Sequence, residues 1–173
     1  MATLVAPVRL GSDLRETDLR DLHFALDRIN AEYALALDEN EIERWPDFFA
    51  APCSYRVIPR ENHEAGLPIA VLYCASRGMM LDRIAHIRET AMFAPRRYRH
   101  IVGNVRIVAV ERASVRAQAN YAVFETTYDQ KTQIYNVGKY VDELVLADGG
   151  LKFRERLAVF DSSVIPTSLI YPI

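Results

Sequence analysis

The fold is decided by the stretch QIYNVGKYVDELVL (residues 133–146), ADGG (147–150) and LKFRERLAVF (151–160). Two runs rich in β-branched and aromatic residues flank an Asp148-Gly149 pair, a strong short-range signal for a hairpin. In the second run Lys152, Arg154 and Arg156 oppose Leu151, Phe153, Leu157 and Val159, the alternation of a half-buried strand. Working back toward the N-terminus, Arg99–Glu111 and Ser114–Tyr128 have the same character and are joined by short turns. The second half of the chain therefore reads as a four-stranded antiparallel meander.

Upstream the period changes. Leu19, Leu22, Leu26, Ile29, Tyr33 and Leu37 recur at intervals of three and four and form one apolar stripe. They predict a helix with Thr17 as N-cap and with Asp18 and Asp21 in its first turn. Asn40 and Glu43 have capping-box spacing, which predicts a second helix ending before Pro52, its apolar side formed by Ile42, Trp45, Phe48 and Phe49. Short strands are expected at Tyr55–Ile58 and Ile69–Cys74, around a loop holding Pro59, Asn62, Gly66 and Pro68. A third helix fits Arg77–Arg88, with Ser76 as N-cap and Met80, Ile84 and Ile87 on one side. Helices first and a meander afterwards make an α+β domain, a curved, mainly antiparallel sheet wrapped around N-terminal helices to form a cone with an interior pocket. Residues 1–16 carry no strong period and read as an N-terminal arm, followed by one domain over 17–173. Outward candidates such as Asn120, Phe124, Thr126 and Tyr128 are mixed rather than charged, so the sheet is expected to seek a partner. The tail Leu169–Ile173 has no charged side chain and is expected to dock somewhere.

Bulk properties narrow the function. With a net charge of −2, nothing in the charge balance suggests a nucleic-acid partner. No run of eighteen apolar residues is present to suggest a membrane span, and the first eleven residues do not have the pattern of a signal peptide. Cys53 and Cys74 lack CxxC spacing, which points to a reducing, cytoplasmic setting, with a disulfide between them left as the minor alternative.

The chemistry-bearing residues give no metal set. His23, His63, His86 and His100 stand apart, none in the paired spacing of a Rieske cluster and no two at i, i+4 on one helix. There is no GxSxG elbow and no Gly-rich phosphate loop. Acid–base chemistry stays open: a cone can gather Tyr33, Asp38, Tyr55, His86 and His100, the residue types that isomerise or dehydrate small carbonyl compounds. The alternative is that the tyrosines are core aromatics, Asp38 caps or pairs near its helix end, and His100 is a satisfied polar residue at a strand start. The basic run Arg96, Arg97, Arg99 suits ion pairs, either internal with residues such as Asp82 and Glu89 or across a subunit interface, where the planar guanidinium binds carboxylates bidentately. Tyr171 and Ile173 of the uncharged tail join these arginines as interface candidates.

Several landmarks together carry a resemblance. Trp45-Pro46-Asp47-Phe48-Phe49, Cys53-Ser54-Tyr55-Arg56-Val57, the 60–68 segment RENHEAGLP and the 76–84 segment SRGMMLDRI come first. Tyr98-Arg99-His100-Ile101-Val102-Gly103-Asn104, Gly138-Lys139-Tyr140-Val141-Asp142, Arg154-Glu155-Arg156 and the tail follow in order. From about residue 20 onward the chain resembles the small (β) subunits of aromatic-ring-hydroxylating Rieske non-haem iron dioxygenases, especially members acting on aromatic acids. The resemblance implies the cone fold shared with scytalone dehydratase and ketosteroid isomerase. It implies assembly as three large and three small subunits, with the Rieske 2Fe-2S cluster and the mononuclear non-haem iron in the large subunit. This chain would then carry no cofactor and support assembly in aromatic catabolism. The competing expectation is a stand-alone isomerase or dehydratase using the Tyr/Asp/His pocket.

Overall fold

Helix α1 (Leu19–Asp38) buries Leu22, Leu26, Ile29, Tyr33 and Leu37 as the stripe predicts, while Leu19 at its start stays 65% exposed. Its N-cap is Asp18 rather than Thr17: the Asp18 carboxylate accepts the Arg20 N–H at 2.7 Å, and an anion there also meets the positive end of the helix. The helix closes with a pair of backbone bonds, Glu41 N–H to the Ala36 carbonyl (2.8 Å) and Asn40 N–H to the Leu37 carbonyl (3.1 Å). Asn40 takes the left-handed conformation (φ 60°) that this closure demands. Asn40, expected to start a second helix, therefore ends the first. The segment Ile42–Phe48 is a 3-10 helix and not an α-helix, with Pro46 inside it unable to donate to an α-type ladder.

The computed structural model describes residues 10–128, 131–162 and 169–173. Its further elements are β1 (Phe49–Pro59), α2 (Arg60–Glu64), β2 (Leu72–Cys74), α3 (Arg77–Ala85), β3 (Arg96–Val110), β4 (Ser114–Thr127), β5 (Gln133–Ala147) and β6 (Gly150–Phe160). They form one six-stranded sheet in the order β2-β1-β6-β5-β4-β3, antiparallel except where β1 joins β6 in parallel. The core lies between this curved sheet and α1, the 3-10 segment and α3. Ser76 caps α3 as expected, accepting from the Met79 N–H, but the helix changes to a π turn over His86–Thr90 before reaching its predicted end. The predicted loop after β1 contains the short α2, and β1 starts six residues early. Pro52 is tolerated in β1 because it falls in the stretch between Phe49 and Ser54 where pairing with β6 is interrupted. The last part of the proposed N-terminal arm is packed: Leu14 is fully buried and its N–H donates to the Arg112 carbonyl.

The hairpin between β5 and β6 is the two-residue turn that its sequence predicts, with Asp148 at φ 51° and Gly149 at φ 78°. Beyond it the register breaks. Glu143 faces Glu155 while Leu144 faces Phe153, leaving Arg154 as an extra residue in β6. This bulge inverts the alternation: Phe153 and Arg156 both lie on the inside, each 0% exposed. Arg156, expected on the polar side, is thereby carried into the core.

Strand β3 ends the sheet, and an open edge is a template for unwanted pairing. Helix α1 covers part of it with side chains. A His23 ring nitrogen binds the Val105 carbonyl at 2.9 Å, and Asp38 accepts the His100 N–H. The outer face of β3–β5 is apolar in patches, with Ile101, Ile134 and Val137 exposed. Among the described residues, no helix is long and apolar enough to cross a membrane.

Candidate functional site

The end of the chain's own tail is buried in the core: Ile173 joins the core cluster, with Leu169, Ile170 and Tyr171 packed against it. The Tyr33 hydroxyl from α1 and the Tyr55 hydroxyl from β1 both donate to a main-chain oxygen of Ile173, at 3.0 and 3.1 Å. In turn Ile173 N–H donates to the Tyr55 hydroxyl at 2.7 Å. From α3, Arg83 Nη2 donates to the carbonyls of Leu169 (2.7 Å) and Ile170 (2.8 Å), with Nε also on Ile170 (3.1 Å). The Tyr171 ring packs against Phe93 and Tyr98, and its hydroxyl reaches Asn40 Oδ1 at 3.2 Å. The uncharged tail docks inside this fold, and Ile173, expected at an interface, is 1% exposed. Burial pushes the Tyr33 phenol up to about 12 and the Tyr55 phenol well above its ordinary value, so both stay protonated donors near neutral pH.

Sequence reasoning missed the group that lies behind these tyrosines. The Arg156 guanidinium stacks on the rings of Tyr140 (3.6 Å), Tyr33 (4.2 Å) and Phe153 (4.3 Å). Its Nη2 donates to Asn30 Oδ1 at 2.9 Å. Asp142 is directly opposite in the β5–β6 ladder, yet Arg156 Nε stands 3.9 Å from Asp142 Oδ1, an ion pair too long for a hydrogen bond. Burial dominates over the attraction of Arg156 and pushes the Asp142 carboxyl up to about 7. A signal for this cluster existed: Tyr140, Asp142 and Leu144 share one phase of β5, so a carboxylate sits on the apolar side and requires a cation.

Asp38 and His100 do come together. The Asp38 carboxylate accepts the His100 N–H (3.0 and 3.2 Å) and lies 2.6 Å from His100 Nδ1. The carboxylate thus holds the ring with Nδ1 as donor, the arrangement that orients an imidazole for base catalysis, but Nε2 is buried without a partner. The pair also secures the β3 edge to the end of α1. His86 does not join them; it is exposed on the π turn and bonds Thr90 Oγ1 at 2.7 Å.

The basic run divides by exposure. Arg96, its side chain 9% exposed, pairs with the buried Glu125 at 2.9 Å. Arg99 is exposed and binds Glu39 at 2.7 Å, with Asp38 at 3.8 Å. Arg97 points to solvent. The partners of Arg96 and Arg99 are Glu125 and Glu39, in place of the expected Asp82 and Glu89. Arg96 and Arg97 border an open cleft of about 820 Å³ between the end of α1 and the start of β3, also lined by Asp38, Tyr128 and Tyr171. Cys53 and Cys74 are free and buried, and burial pushes both thiols up. Among the described residues, no three His, Cys, Asp or Glu side chains converge as metal ligands would.

Comparison with known proteins agrees with this architecture. A family model described as the ring hydroxylating beta subunit matches residues 32–167. The chain is 31% identical over 150 residues to the anthranilate 1,2-dioxygenase small subunit of Burkholderia cepacia, covering 87% of this chain and 93% of that one. It is 35% identical over 144 residues to a beta subunit of the terminal oxygenase component of terephthalate 1,2-dioxygenase from a Comamonas species, covering 83% and 94%. Among solved structures, a beta subunit from Novosphingobium aromaticivorans, described as that of an aromatic-ring-hydroxylating dioxygenase, matches with a TM-score of 0.82 at 40% identity, over 90% of this chain and all of that one. A protein from the same organism described as a scytalone dehydratase shares the fold at a TM-score of 0.64 and 19% identity, over 82% of this chain and 85% of that one.

Proposed function

The chain belongs to the ring-hydroxylating beta-subunit family, and from that membership we propose that it is the structural small subunit of an oxygenase acting on an aromatic acid. It supports the assembly of catalytic large subunits in a cytoplasmic complex of three large and three small chains. The large subunit holds the Rieske 2Fe-2S cluster and the mononuclear non-haem iron, and oxygen chemistry takes place there. The carrying observation is the family match over residues 32–167, and the closed interior agrees with it, since Tyr33 and Tyr55 both bind Ile173 in the core. The relatives named for anthranilate and terephthalate dioxygenases support an aromatic acid as the substrate class.

The contact with the large subunit is assigned to the rim of the open cleft and the adjoining outer face. Arg97 and Arg99 offer exposed guanidinium groups there, Ile101, Ile134 and Val137 supply apolar area, and Arg96 and Tyr171 support the rim from within.

Asp38 and His100 distinguish this reading from the stand-alone isomerase or dehydratase. Replacing Asp38 by Asn or His100 by Gln is expected to weaken the anchoring of β3 by about 1–3 kcal/mol, because buried hydrogen-bonding groups lose partners. Turnover per assembled oxygenase complex should stay unchanged. A stand-alone isomerase or dehydratase would instead turn over a small enolisable carbonyl compound by itself and lose about 10²–10⁴-fold of that activity in either variant. Steady-state turnover of the purified complex, together with urea unfolding of the small subunit, separates the two outcomes.

A further inference from the structure

The face of the sheet turned away from the helices carries an unbalanced charge. In β4 the residues Ala117, Ala119, Tyr121, Val123 and Glu125 are buried, so the alternate ones point outward. The register sets Arg97, Arg99 and Arg106 of β3 beside the outward Thr126, Phe124 and Gln118. Arg116 of β4 and Lys139 of β5 stand on the same face. Its carboxylates Glu143 and Glu155 are each taken, by Arg154 and Arg56, and Arg99 is taken by Glu39. Among the described residues, Arg97, Arg106, Arg116 and Lys139 have no carboxylate within ion-pair distance; Arg106 donates to Gln118 instead. The chain as a whole has a net charge of −2, so this excess of cations leaves the remaining surface correspondingly acidic. Between the cations lies apolar area. Ile101, Ala122 and Val137 share one row across β3–β5, and Phe124 and Ile134 stand in the neighbouring row. Ile101 and Ile134 are 62% and 60% exposed. Arg97 lies at one end of this area and Arg106, Arg116 and Lys139 at the other, a span of roughly 30 Å at the rise of a strand.

We propose that this outer sheet face is an electrostatic docking surface for an apolar patch rimmed by carboxylates on the large subunit. The inference rests on the assembly function above and adds the chemistry of the partner's surface. Carboxylates of the large subunit meet Arg97 at one end and Arg106, Arg116 and Lys139 at the other, and apolar side chains meet Ile101 and Ile134. The cations hasten encounter and select the partner, while the apolar centre supplies the burial that slows dissociation. Nucleic acid is a polyanion too, but bases stack on exposed rings, whereas this centre is aliphatic and Phe124 is half-buried. A symmetric contact between two copies of this chain is disfavoured, because it would set the same cations against each other.

The test measures association and dissociation rates of the full chain with the purified Rieske-type large subunit at about 50 mM and about 500 mM salt. The association rate should fall about tenfold or more over that range. Arg106→Glu combined with Arg116→Glu should slow association about tenfold at low salt and far less at high salt, where the charges are screened. Arg20→Glu, a reversal on the exposed side of α1, should leave the rates unchanged. Ile101→Ser should speed dissociation at both salt concentrations. Should the double reversal lower Tm, Arg106→Gln with Arg116→Gln removes the charges without adding repulsion and is read in the same way. Chains that associate with no response to salt or to these charges would overturn the inference and leave the assembly function standing. Unmodified chains that do not associate at all would remove the assembly function itself, and the inference with it. Binding of a single-stranded oligonucleotide as tight as that of the large subunit would assign the face to another partner and overturn the inference. Self-association of this chain alone that the double reversal disperses would do the same.

Discussion

Replacing Arg156 by Met is expected to destabilise the chain by about 3–5 kcal/mol at pH 8.5, since it leaves Asp142 as an unpaired charge in the core. The guanidinium holds Asp142, Asn30 and three aromatic rings together at a point with no exposure to water. Methionine fills much of the volume but can neither pair with the carboxylate nor donate to Asn30. The sign of the pH dependence follows from Asp142, whose carboxyl is raised from 3.8 to about 7. The folded chain holds a proton that the unfolded chain releases, so this group's contribution is fully present below about pH 4. It is lost as pH rises through about 7. The intact chain should therefore lose a few kcal/mol across that window, and Asp142→Asn should flatten the profile. The penalty for Arg156→Met should be smaller at pH 6, where Asp142 can be neutral. Adding Asp142→Leu to Arg156→Met should recover most of the loss, because a matched apolar pair replaces the ionic one. Urea unfolding at pH 6 and pH 8.5 measures each value, and a loss below about 1 kcal/mol at both would remove Arg156 from the account.

Gly138→Ala is expected to be comparably damaging for a different reason. A Cβ at this position would collide with the Val159 carbonyl oxygen and lie 2.8 Å from Phe160 Cα and 2.9 Å from the Tyr121 hydroxyl. Two of these three atoms belong to the backbone of β6, which pairs with Gly138 through Phe160 and cannot retreat without opening the ladder. Ordinary overpacking costs about 1–3 kcal/mol, and a contact this short against backbone should exceed that range. A fall in Tm of more than about 8 °C is expected in a chain of this length. Tyr121→Phe, which relieves only the side-chain contact, should not rescue it. A Gly138→Ala chain that melts within a degree or two of the parent would mean that β5 and β6 are not held as closely as described.

What could be read from the sequence was largely local. The Asp148-Gly149 hairpin follows from the left-handed freedom that its turn demands, and the α1 stripe follows from spacing alone. Asn40 shows where local reasoning fails: its residue type suits either end of a helix, and the backbone bonds from Asn40 to Leu37 and from Glu41 to Ala36 decide the matter. Arg156 fails for a register reason, because a single extra residue at Arg154 exchanges the faces of β6 and strict alternation cannot show a bulge. The candidate pocket was half legible. Tyr33 and Tyr55 share the cone interior and Asp38 meets His100, but His86 stands outside, and Ile173 enters the space by a long-range fold-back that no spacing rule encodes. Arg83 likewise reads as one charge on a polar helix face until the tail carbonyls arrive beside it.

The inner face is closed on the chain's own tail, and the proposed contact with other chains falls to the outer face. The most direct measurement is the native mass and turnover of the Rieske-type large subunit, purified with and without this chain. The account predicts a stable complex of three large and three small subunits when both are present, and a large subunit that disperses and loses activity when this chain is omitted. A large subunit that assembles and turns over equally well alone, with this chain never co-purifying, would contradict it.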